Sequence, residues 1–298
     1  MDFLKVSDLG DQLSVVLETA ARVKSDRDSV RGSRSGVRVG LFFEKPSTRT
    51  RVSCEVATTD LGAVPIVLKQ DEVGLGKREA VADVARVLDR YLDVLAFRVF
   101  HHRDLDTIAT HASAPVINLL SDLEHPCQAL ADLQTLAEHR PLAGATVAYI
   151  GDGNNVAASL MIAGAACGVS IRVASPPGYE PTKEVVAEAK AAARPGTTVE
   201  VTNDAVAAVR GADAVYTDVW TSMGQEAEAA KRRELFEPYR VNEKLFALAA
   251  PDAIFLHCLP AHRGEEVTDG VIDHDRSRVF DQAENRMHAF KALLLHLT

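Results

Sequence analysis

The alternation of short β-branched runs with longer amphipathic stretches restricts the fold more than any other feature of this sequence. Two of the amphipathic stretches, 78–92 and 181–193, have the apolar spacing of helices. Nine runs have the length and composition of buried strands, namely 37–43, 64–68, 93–99, 115–120, 146–152, 170–176, 198–203, 213–219 and 253–259. This alternation predicts an α/β fold in which parallel sheets are covered by helices on both faces.

The number of strands predicts two domains, because nine strands are too many for one open sheet of ordinary size. The chain has 298 residues, 47% of them apolar, which is enough to bury two cores. Residues 137–145 are polar and interrupted by proline and glycine, which suggests a boundary there. We expect domains at 1–136 and 137–279, each a parallel sheet flanked by helices, followed by a helical stretch at about 280–298.

The charge and cysteine content exclude several classes of protein. A formal net charge of −9 argues against a general affinity for nucleic acid, so an anionic ligand would need local positive charge. The first residues lack the pattern of a signal peptide, and no apolar run approaches the roughly 18 residues of a membrane span. The four scattered cysteines are typical of reduced thiols. We therefore expect a soluble protein of the cytoplasm.

The first candidate site lies at 47–51, which reads STRTR and follows the strand 37–43. Open parallel sheets bind ligands at the carboxyl ends of their strands, where this segment would form the first turn of a helix. Free backbone N–H groups, hydroxyl groups and an arginine fork together suit a phosphate group. The alternative is that Ser47 only caps the helix and that the arginines are solvated.

A second candidate site directly follows the strand 115–120. Pro126 fixes the start of a helix, which leaves His125 at the strand end and Gln128 about one turn later. An imidazole and an amide suit a neutral planar group, such as a carbonyl that carries an NH₂ group. A histidine that only caps the helix is the alternative.

The segment 151–155, which reads GDGNN, resembles a dinucleotide-binding loop, but Val156 stands at the third glycine position of that motif. The strand 170–176 also ends without the acidic residue that would bind a ribose. A nicotinamide-dependent dehydrogenase is therefore the weaker alternative. Asn154 and Asn155 are instead candidate donors to a carboxylate or an amino-acid backbone.

Two further strand ends carry groups that suit an amine. Asp218 lies at the end of the strand 213–219, before Ser222 and Met223 in a polar loop, and a carboxylate with a hydroxyl can bind an ammonium group. Cys258 ends the last strand, and its thiol would lie near Asp218 if the two strands are neighbours. An ordinary loop and a core cysteine are the alternatives.

Two histidine–cysteine neighbours raise the question of a zinc site. They are His125 with Cys127, and His257 with Cys258. Neither pair has the spacing of a structural zinc site, so we expect no metal.

Four motifs occur in order along the chain: STRTR at 47–51, HPCQ at 125–128, DxWxSMG at 218–224 and HCLPAHRG at 257–264. Together they resemble the aspartate/ornithine carbamoyltransferase family, and the last two resemble its ornithine branch. The similarity extends from Val37 to the final helix. It implies an N-terminal carbamoyl-phosphate domain, a C-terminal amino-acid domain, and a last helix that packs back on the first domain.

The resemblance implies transfer of a carbamoyl group from carbamoyl phosphate to the δ-amine of L-ornithine, in arginine biosynthesis and without a metal or organic cofactor. It also implies a homotrimer with shared active sites. The residues that would contact carbamoyl phosphate are Ser47, Thr48, Arg49, Thr50, Arg98, His125, Gln128, Cys258, Leu259 and Arg286. Those that would bind ornithine are Asn155, Asp218, Ser222 and Met223. The groups that would take part directly in the reaction are Arg98, His125, Asp218 and Cys258. From its position alone, Arg286 is an ordinary solvated helix residue.

One position departs from the family's pattern. This chain has Gly74 where the family commonly has a glutamine that reaches the phosphate in a neighbouring subunit's site. The segment 74–78 reads as a mobile loop, and Lys77 is a candidate to replace the missing contact. We expect a glutamine restored at position 74 to tighten carbamoyl phosphate binding modestly or to leave it unchanged.

Two other functions stay open at this point. One is a carbamoyltransferase for another amine, such as putrescine or an N-acylated ornithine, and the SMG loop argues against it. The other is a non-enzymatic binding protein on the same scaffold, and the joint presence of all the motifs argues against that.

Overall fold

The computed structural model describes residues 1–221 and 226–298. The chain divides into two compact units, one formed by Met1–Gln134 with Glu284–Thr298 and the other by Thr135–Ala283. The strands are β1 (Arg38–Phe43), β2 (Val64–Lys69), β3 (Val94–Arg98), β4 (Val116–Leu120), β5 (Thr146–Ile150), β6 (Ser170–Ala174), β7 (Val199–Thr202), β8 (Ala214–Thr217) and β9 (Ile254–His257). All nine coincide with predicted strands.

Helices follow most of the strands and cover the sheets. They are α1 (Gln12–Ser25), α2 (Thr48–Asp60), α3 (Gln70–Val73), α4 (Val81–Leu88), α5 (His102–His111), α6 (Pro126–Ala137), α7 (Asn155–Ala166), α8 (Lys183–Ala192), α9 (Ala205–Val209), α10 (Ala229–Phe236), α11 (Glu243–Phe246), α12 (Asp269–Ile272) and α13 (Val279–Leu297). Short 3-10 segments lie at Val6–Leu9, Glu226–Glu228 and Glu237–Tyr239. No helix in the described part of the chain combines the length and apolar character needed to cross a membrane.

The first unit contains a four-stranded sheet in the order β2-β1-β3-β4, and all its strand pairs are parallel. The central strands β1 and β3 are apolar because both of their faces are covered, and every residue of β3 is buried. Phe43 at the end of β1 is the register partner of Arg98 at the end of β3. The chain therefore leaves the two central strands side by side.

The last helix packs on the first unit, as the resemblance implied. Lys291 of α13 is fully buried, and its Nζ lies 2.6 Å from a carboxylate oxygen of Asp60, the last residue of α2. Near the end of the same helix, the carbonyl of Leu295 accepts a hydrogen bond of 2.9 Å from Arg34. These contacts confirm the predicted α/β fold with its returning C-terminal helix.

The second unit contains a five-stranded parallel sheet in the order β7-β6-β5-β8-β9. Thr217 of β8 is the register partner of both Ile150 and His257, so β5, β8 and β9 end at one level of the sheet. The turn after β5 needs a glycine, because a Cβ at Gly153 would lie 2.1 Å from the backbone nitrogen of Pro181. This close approach fixes the entry into α7.

Candidate active site

The STRTR segment forms the start of α2, directly after β1. Ser47 is the N-cap of this helix, and its hydroxyl accepts a hydrogen bond from the Thr50 backbone N–H at 3.4 Å. The same hydroxyl lies 3.0 Å from Thr50 Oγ1. Arg51 pairs with Glu55 at 2.7 Å on the exposed side of the helix. Ser47 therefore caps the helix, as the alternative interpretation of this segment predicted. The segment also places the N–H groups of the first turn of α2 at the end of β1.

Two buried guanidinium groups meet at Thr50. Arg98, at the end of β3, places Nη1 3.5 Å from Thr50 Oγ1, and Arg286, on α13, places Nη2 3.3 Å from the same oxygen. The two arginines are only 7% and 6% exposed. Arg286 is therefore not the solvated helix residue that its position in the sequence suggests.

Gln128 completes this group of residues, which we call the arginine cluster: Thr50, Arg98, Gln128 and Arg286. Its Oε1 accepts a hydrogen bond of 2.5 Å from Arg286 Nη1, and its Nε2 donates to Asp132 at 2.8 Å. The amide orientation is thus set from both ends, because a guanidinium only donates and a carboxylate accepts. Because the chain as a whole is acidic, an anion site needs a local concentration of positive charge, and the arginine cluster provides one.

His125 lies beside the arginine cluster, at the start of α6. Burial lowers the pKa of its imidazole well below the ordinary value, and the positive charges of Arg286 and Arg98 lower that pKa further. The ring is therefore neutral at neutral pH, and it offers one hydrogen-bond donor and one acceptor.

In the second unit, Asp218 and Cys258 emerge from the adjacent strands β8 and β9. The thiol of Cys258 donates to Asp218 Oδ1 at 2.9 Å, which confirms the expectation that the two lie together if their strands are neighbours. We call these two residues the thiol–carboxylate pair. Asp218 Oδ2 accepts a hydrogen bond of 2.9 Å from Asn154. Asn155 is the first residue of α7 and is half-buried.

A buried His257–Glu266 contact supports the segment after β9. The Leu259 backbone N–H donates to His257 Nδ1 at 2.8 Å, so the ring proton is on Nε2, which lies 3.1 Å from Glu266 Oε1. Leu259 adopts a left-handed φ of 55°, a conformation that costs a non-glycine residue about 1–2 kcal/mol. Glu266 was not among the predicted site residues, although it belongs to an acidic pair that follows the HCLP motif in the sequence.

The ligand atoms of Asp218, His257 and Cys258 lie within 4.8 Å of one another, close enough to share a metal ion. Both ring nitrogens of His257 are engaged, one by Leu259 and the other by Glu266. A metal would have to displace one of these contacts, so this cluster is poorly suited to be a metal site.

A second contact that was not predicted from the sequence joins Arg232 of α10 to the residues that follow β5 and β8. Its Nη1 lies 2.9 Å from Asp152 Oδ2 and 2.9 Å from the carbonyl oxygen of Trp220. Burial raises the pKa of Asp152 to about 6, although the Arg232 charge acts in the opposite direction and the Asp218 charge adds to the rise. Ser222 and Met223 lie outside the described residues.

The loop around Gly74 is held by its own side chains. Gln70 hydrogen-bonds both the carbonyl and the N–H of Leu75, each at 3.1 Å. Gly74 has a left-handed φ of 68°, and a Cβ there would lie 2.6 Å from Arg78 Cβ. Lys77 is exposed. The expected effect of Gly74→Gln on carbamoyl phosphate binding stays a prediction, but the left-handed backbone at this position suits glycine, so the substitution also carries a cost in folding.

We predict that Gly74→Gln lowers the free energy of unfolding more than Gly196→Gln. Gly196 has a similar φ of 84° but open space around it, so the control carries only the backbone cost of about 1–2 kcal/mol. The collision with Arg78 adds about 1–3 kcal/mol. Urea denaturation of both variants measures the difference. Equal stabilities, with tighter binding of carbamoyl phosphate to Gly74→Gln, would contradict the described loop conformation.

Comparison with known proteins shows to which family the chain belongs. The carbamoyl-P binding domain of the aspartate/ornithine carbamoyltransferases matches residues 1–138, and their Asp/Orn binding domain matches residues 143–297. The chain therefore belongs to the aspartate/ornithine carbamoyltransferase family.

Individual relatives are similar over nearly the whole chain. An ornithine carbamoyltransferase of Acidothermus cellulolyticus is 53% identical, with 99% of this chain and 96% of the relative covered. One of Synechocystis sp. is 51% identical with the same coverage. The structure of ornithine carbamoyltransferase from Pyrococcus furiosus is 49% identical and has a TM-score of 0.95, with 99% of this chain and 96% of that chain covered.

Proposed function

We propose that the protein transfers the carbamoyl group of carbamoyl phosphate to the δ-amine of L-ornithine, which gives L-citrulline and phosphate. The observation that carries the proposal is the arginine cluster, in which Arg98 and Arg286 converge on Thr50. Two buried positive charges beside a helix start suit a multiply charged phosphate. The ornithine carbamoyltransferases that are 49–53% identical to this chain support ornithine as the amine.

Carbamoyl phosphate would be bound mainly by residues at the ends of β1 and β3 and at the starts of α2 and α6. The residues proposed for the phosphate group are Ser47, Thr48, Arg49 and Thr50, with Arg98 and Arg286 adding positive charge. Those proposed for the carbamoyl group are Thr50, Arg98, His125, Gln128, Cys258 and Leu259. The Gln128 amide has a fixed orientation, and the first-turn N–H groups of α2 are pre-arranged, so little reorganisation is needed on binding.

The chemical step has one bond forming and one breaking. The amine lone pair forms a C–N bond with the carbamoyl carbon, negative charge develops on the carbonyl oxygen, and the C–O bond breaks as phosphate leaves. Donors aimed at that oxygen stabilise the transition state. We assign this role to Arg98, Thr50 and His125, whose lowered pKa keeps the imidazole neutral while its N–H donates.

Ornithine would be bound by Asn155, Asp218, Ser222 and Met223. Its δ-ammonium group must lose a proton before it can attack, and the thiol–carboxylate pair supplies a carboxylate and a thiol for that transfer. A second proton leaves the nitrogen after the C–N bond has formed, and the departing phosphate is a suitable acceptor. The balance of the reaction requires no further reactant.

We also infer the wider setting of the activity. Residues 1–136, together with about 280–298, would form the carbamoyl-phosphate domain, and 137–279 the ornithine domain. The family resemblance supports a homotrimer with shared active sites that serves arginine biosynthesis, and the four scattered cysteines support a location in the cytoplasm.

We predict that the protein forms citrulline from carbamoyl phosphate and L-ornithine at least a hundred times more efficiently than it carbamoylates putrescine or N-acetylornithine. Each of these amines lacks a charged group of ornithine that the amino-acid site would bind. Colorimetric detection of the ureido product with each amine gives the ratio of kcat/KM values. Equal or higher efficiency with putrescine or N-acetylornithine would overturn the choice of substrate.

We predict that Cys258→Ala lowers kcat and raises the KM for ornithine at least tenfold, and that it raises the KM for carbamoyl phosphate much less. The variant removes the donor to Asp218 Oδ1, and a hydrogen bond to a charged group contributes about 1.5–3 kcal/mol. Cys167→Ala is the matched control, because this buried thiol in the same unit lies outside the proposed site. Intact kinetics in Cys258→Ala, with only a change in stability, would make Cys258 a packing residue.

A further inference from the structure

We propose that Asn154 is a positioning residue of the ornithine site: it fixes the orientation of the Asp218 carboxylate and thereby aims Asp218 Oδ1 at the Cys258 thiol. This role rests on the proposed function and deepens it. The interpretation of Asn154 as a donor to the ligand stays a prediction, and the structure shows that its amide NH₂ group donates to a protein carboxylate.

The orientation of the Asn154 amide follows from what its neighbours can do. Oδ1 accepts hydrogen bonds from the backbone N–H groups of Val156 at 3.0 Å and Ala157 at 3.1 Å, in the first turn of α7. The Tyr149 hydroxyl donates to the same oxygen at 3.2 Å. Backbone N–H groups only donate, so a reversed amide would set its NH₂ group against two donors. The NH₂ group must therefore point at Asp218.

The position of the NH₂ group then determines the direction of the carboxylate. Asp218 is only 6% exposed, and its Oδ2 lies 2.9 Å from Asn154 Nδ2. Because a carboxylate is planar and rigid, holding Oδ2 in place leaves Oδ1 facing Cys258 Sγ at 2.9 Å. The start of α7 thus holds the thiol–carboxylate pair in position through one amide.

Two substitutions of Asn154 that differ in charge test this role. In Asn154→Asp, the new aspartate would cap α7 as well as asparagine does, but it would place a second carboxylate against Asp218. Like charges at hydrogen-bond distance cannot both stay ionised, so one carboxyl group of the pair would take up a proton with a raised pKa. In Asn154→Ser, the new serine would also cap the helix, but its shorter side chain would not reach Asp218.

Other charged groups face this site and stay the same in both variants. Asp152 follows β5 and interacts electrostatically with Asp218, and Arg232 of α10 pairs with Asp152. The ionisable Tyr149 hydroxyl contacts Asn154, and Cys258 contacts Asp218. A ring nitrogen of His257 lies within 4.8 Å of both the Asp218 carboxylate and the Cys258 thiol. A change in pH dependence that appears with Asn154→Asp and not with Asn154→Ser is therefore attributable to the new carboxylate.

The experiment compares Asn154→Asp and Asn154→Ser in the full-length protein. We expect both to unfold within a few degrees of the unmodified protein, because both keep the helix cap. We expect the KM for ornithine to rise or kcat to fall at least tenfold in both variants, with the KM for carbamoyl phosphate changed less than twofold. In Asn154→Asp alone, the acid limb of the kcat/KM profile should move at least one pH unit upward.

A second measurement does not depend on activity. Cys258 is half-buried and the other three cysteines are buried, so the pH dependence of alkylation by iodoacetamide reports mainly on Cys258. Asn154→Asp should move the midpoint of that dependence upward, because the added negative charge disfavours the thiolate. If the unmodified protein forms no citrulline but this shift occurs, the proposed function fails while the positioning role stands.

Two results would overturn the positioning role. Unmodified ornithine kinetics together with an unmoved alkylation midpoint in Asn154→Asp would make Asn154 a helix cap only. Equal losses for ornithine and carbamoyl phosphate in both variants, together with a large fall in unfolding temperature, would show a general structural role.

Discussion

The convergence of two buried guanidinium groups on one threonine hydroxyl is the constraint on which the rest of the first unit depends. Arg98 reaches Thr50 because β1 and β3 are neighbours and end at one level. Arg286 reaches it because the last helix packs on this unit, held by the buried Lys291–Asp60 contact. Bringing two like charges together is costly unless an anion is bound, which supports the proposal that this cluster binds phosphate.

The second unit also brings side chains together at the ends of adjacent parallel strands, but these side chains carry different chemical groups. The adjacent strands β8 and β9 bring a carboxylate and a thiol together, and β5 brings the start of α7 beside them. The Asn154 amide then orients Asp218 toward Cys258. Neither unit uses a rare fold: in both, function depends on which side chains follow parallel strands that lie side by side.

The sequence predicted all nine strands and most of the strand-end groups, because hydrophobic periodicity and turn residues are local signals. It also predicted the Asp218–Cys258 contact, on the condition that their strands are neighbours. Contacts over long sequence separations were not predictable from local patterns, and Asp152–Arg232 is one example. The residue pattern alone predicted that Arg286 is exposed to solvent. Only the family resemblance implied that it contacts carbamoyl phosphate. The left-handed backbone at Gly74 was missed because a glycine in a loop does not reveal its own φ.

Calorimetric titration of carbamoyl phosphate, without ornithine, into the unmodified protein and into Arg286→Gln tests the central claim most directly. Arg51→Gln is the control, because that arginine of the same motif pairs with Glu55 on the exposed side of α2. The loss of a charge-assisted contact weakens binding about ten- to a hundredfold. We predict such a loss for Arg286→Gln and less than a twofold change for Arg51→Gln. Unchanged affinity in a correctly folded Arg286→Gln would contradict the assignment of the arginine cluster to the phosphate.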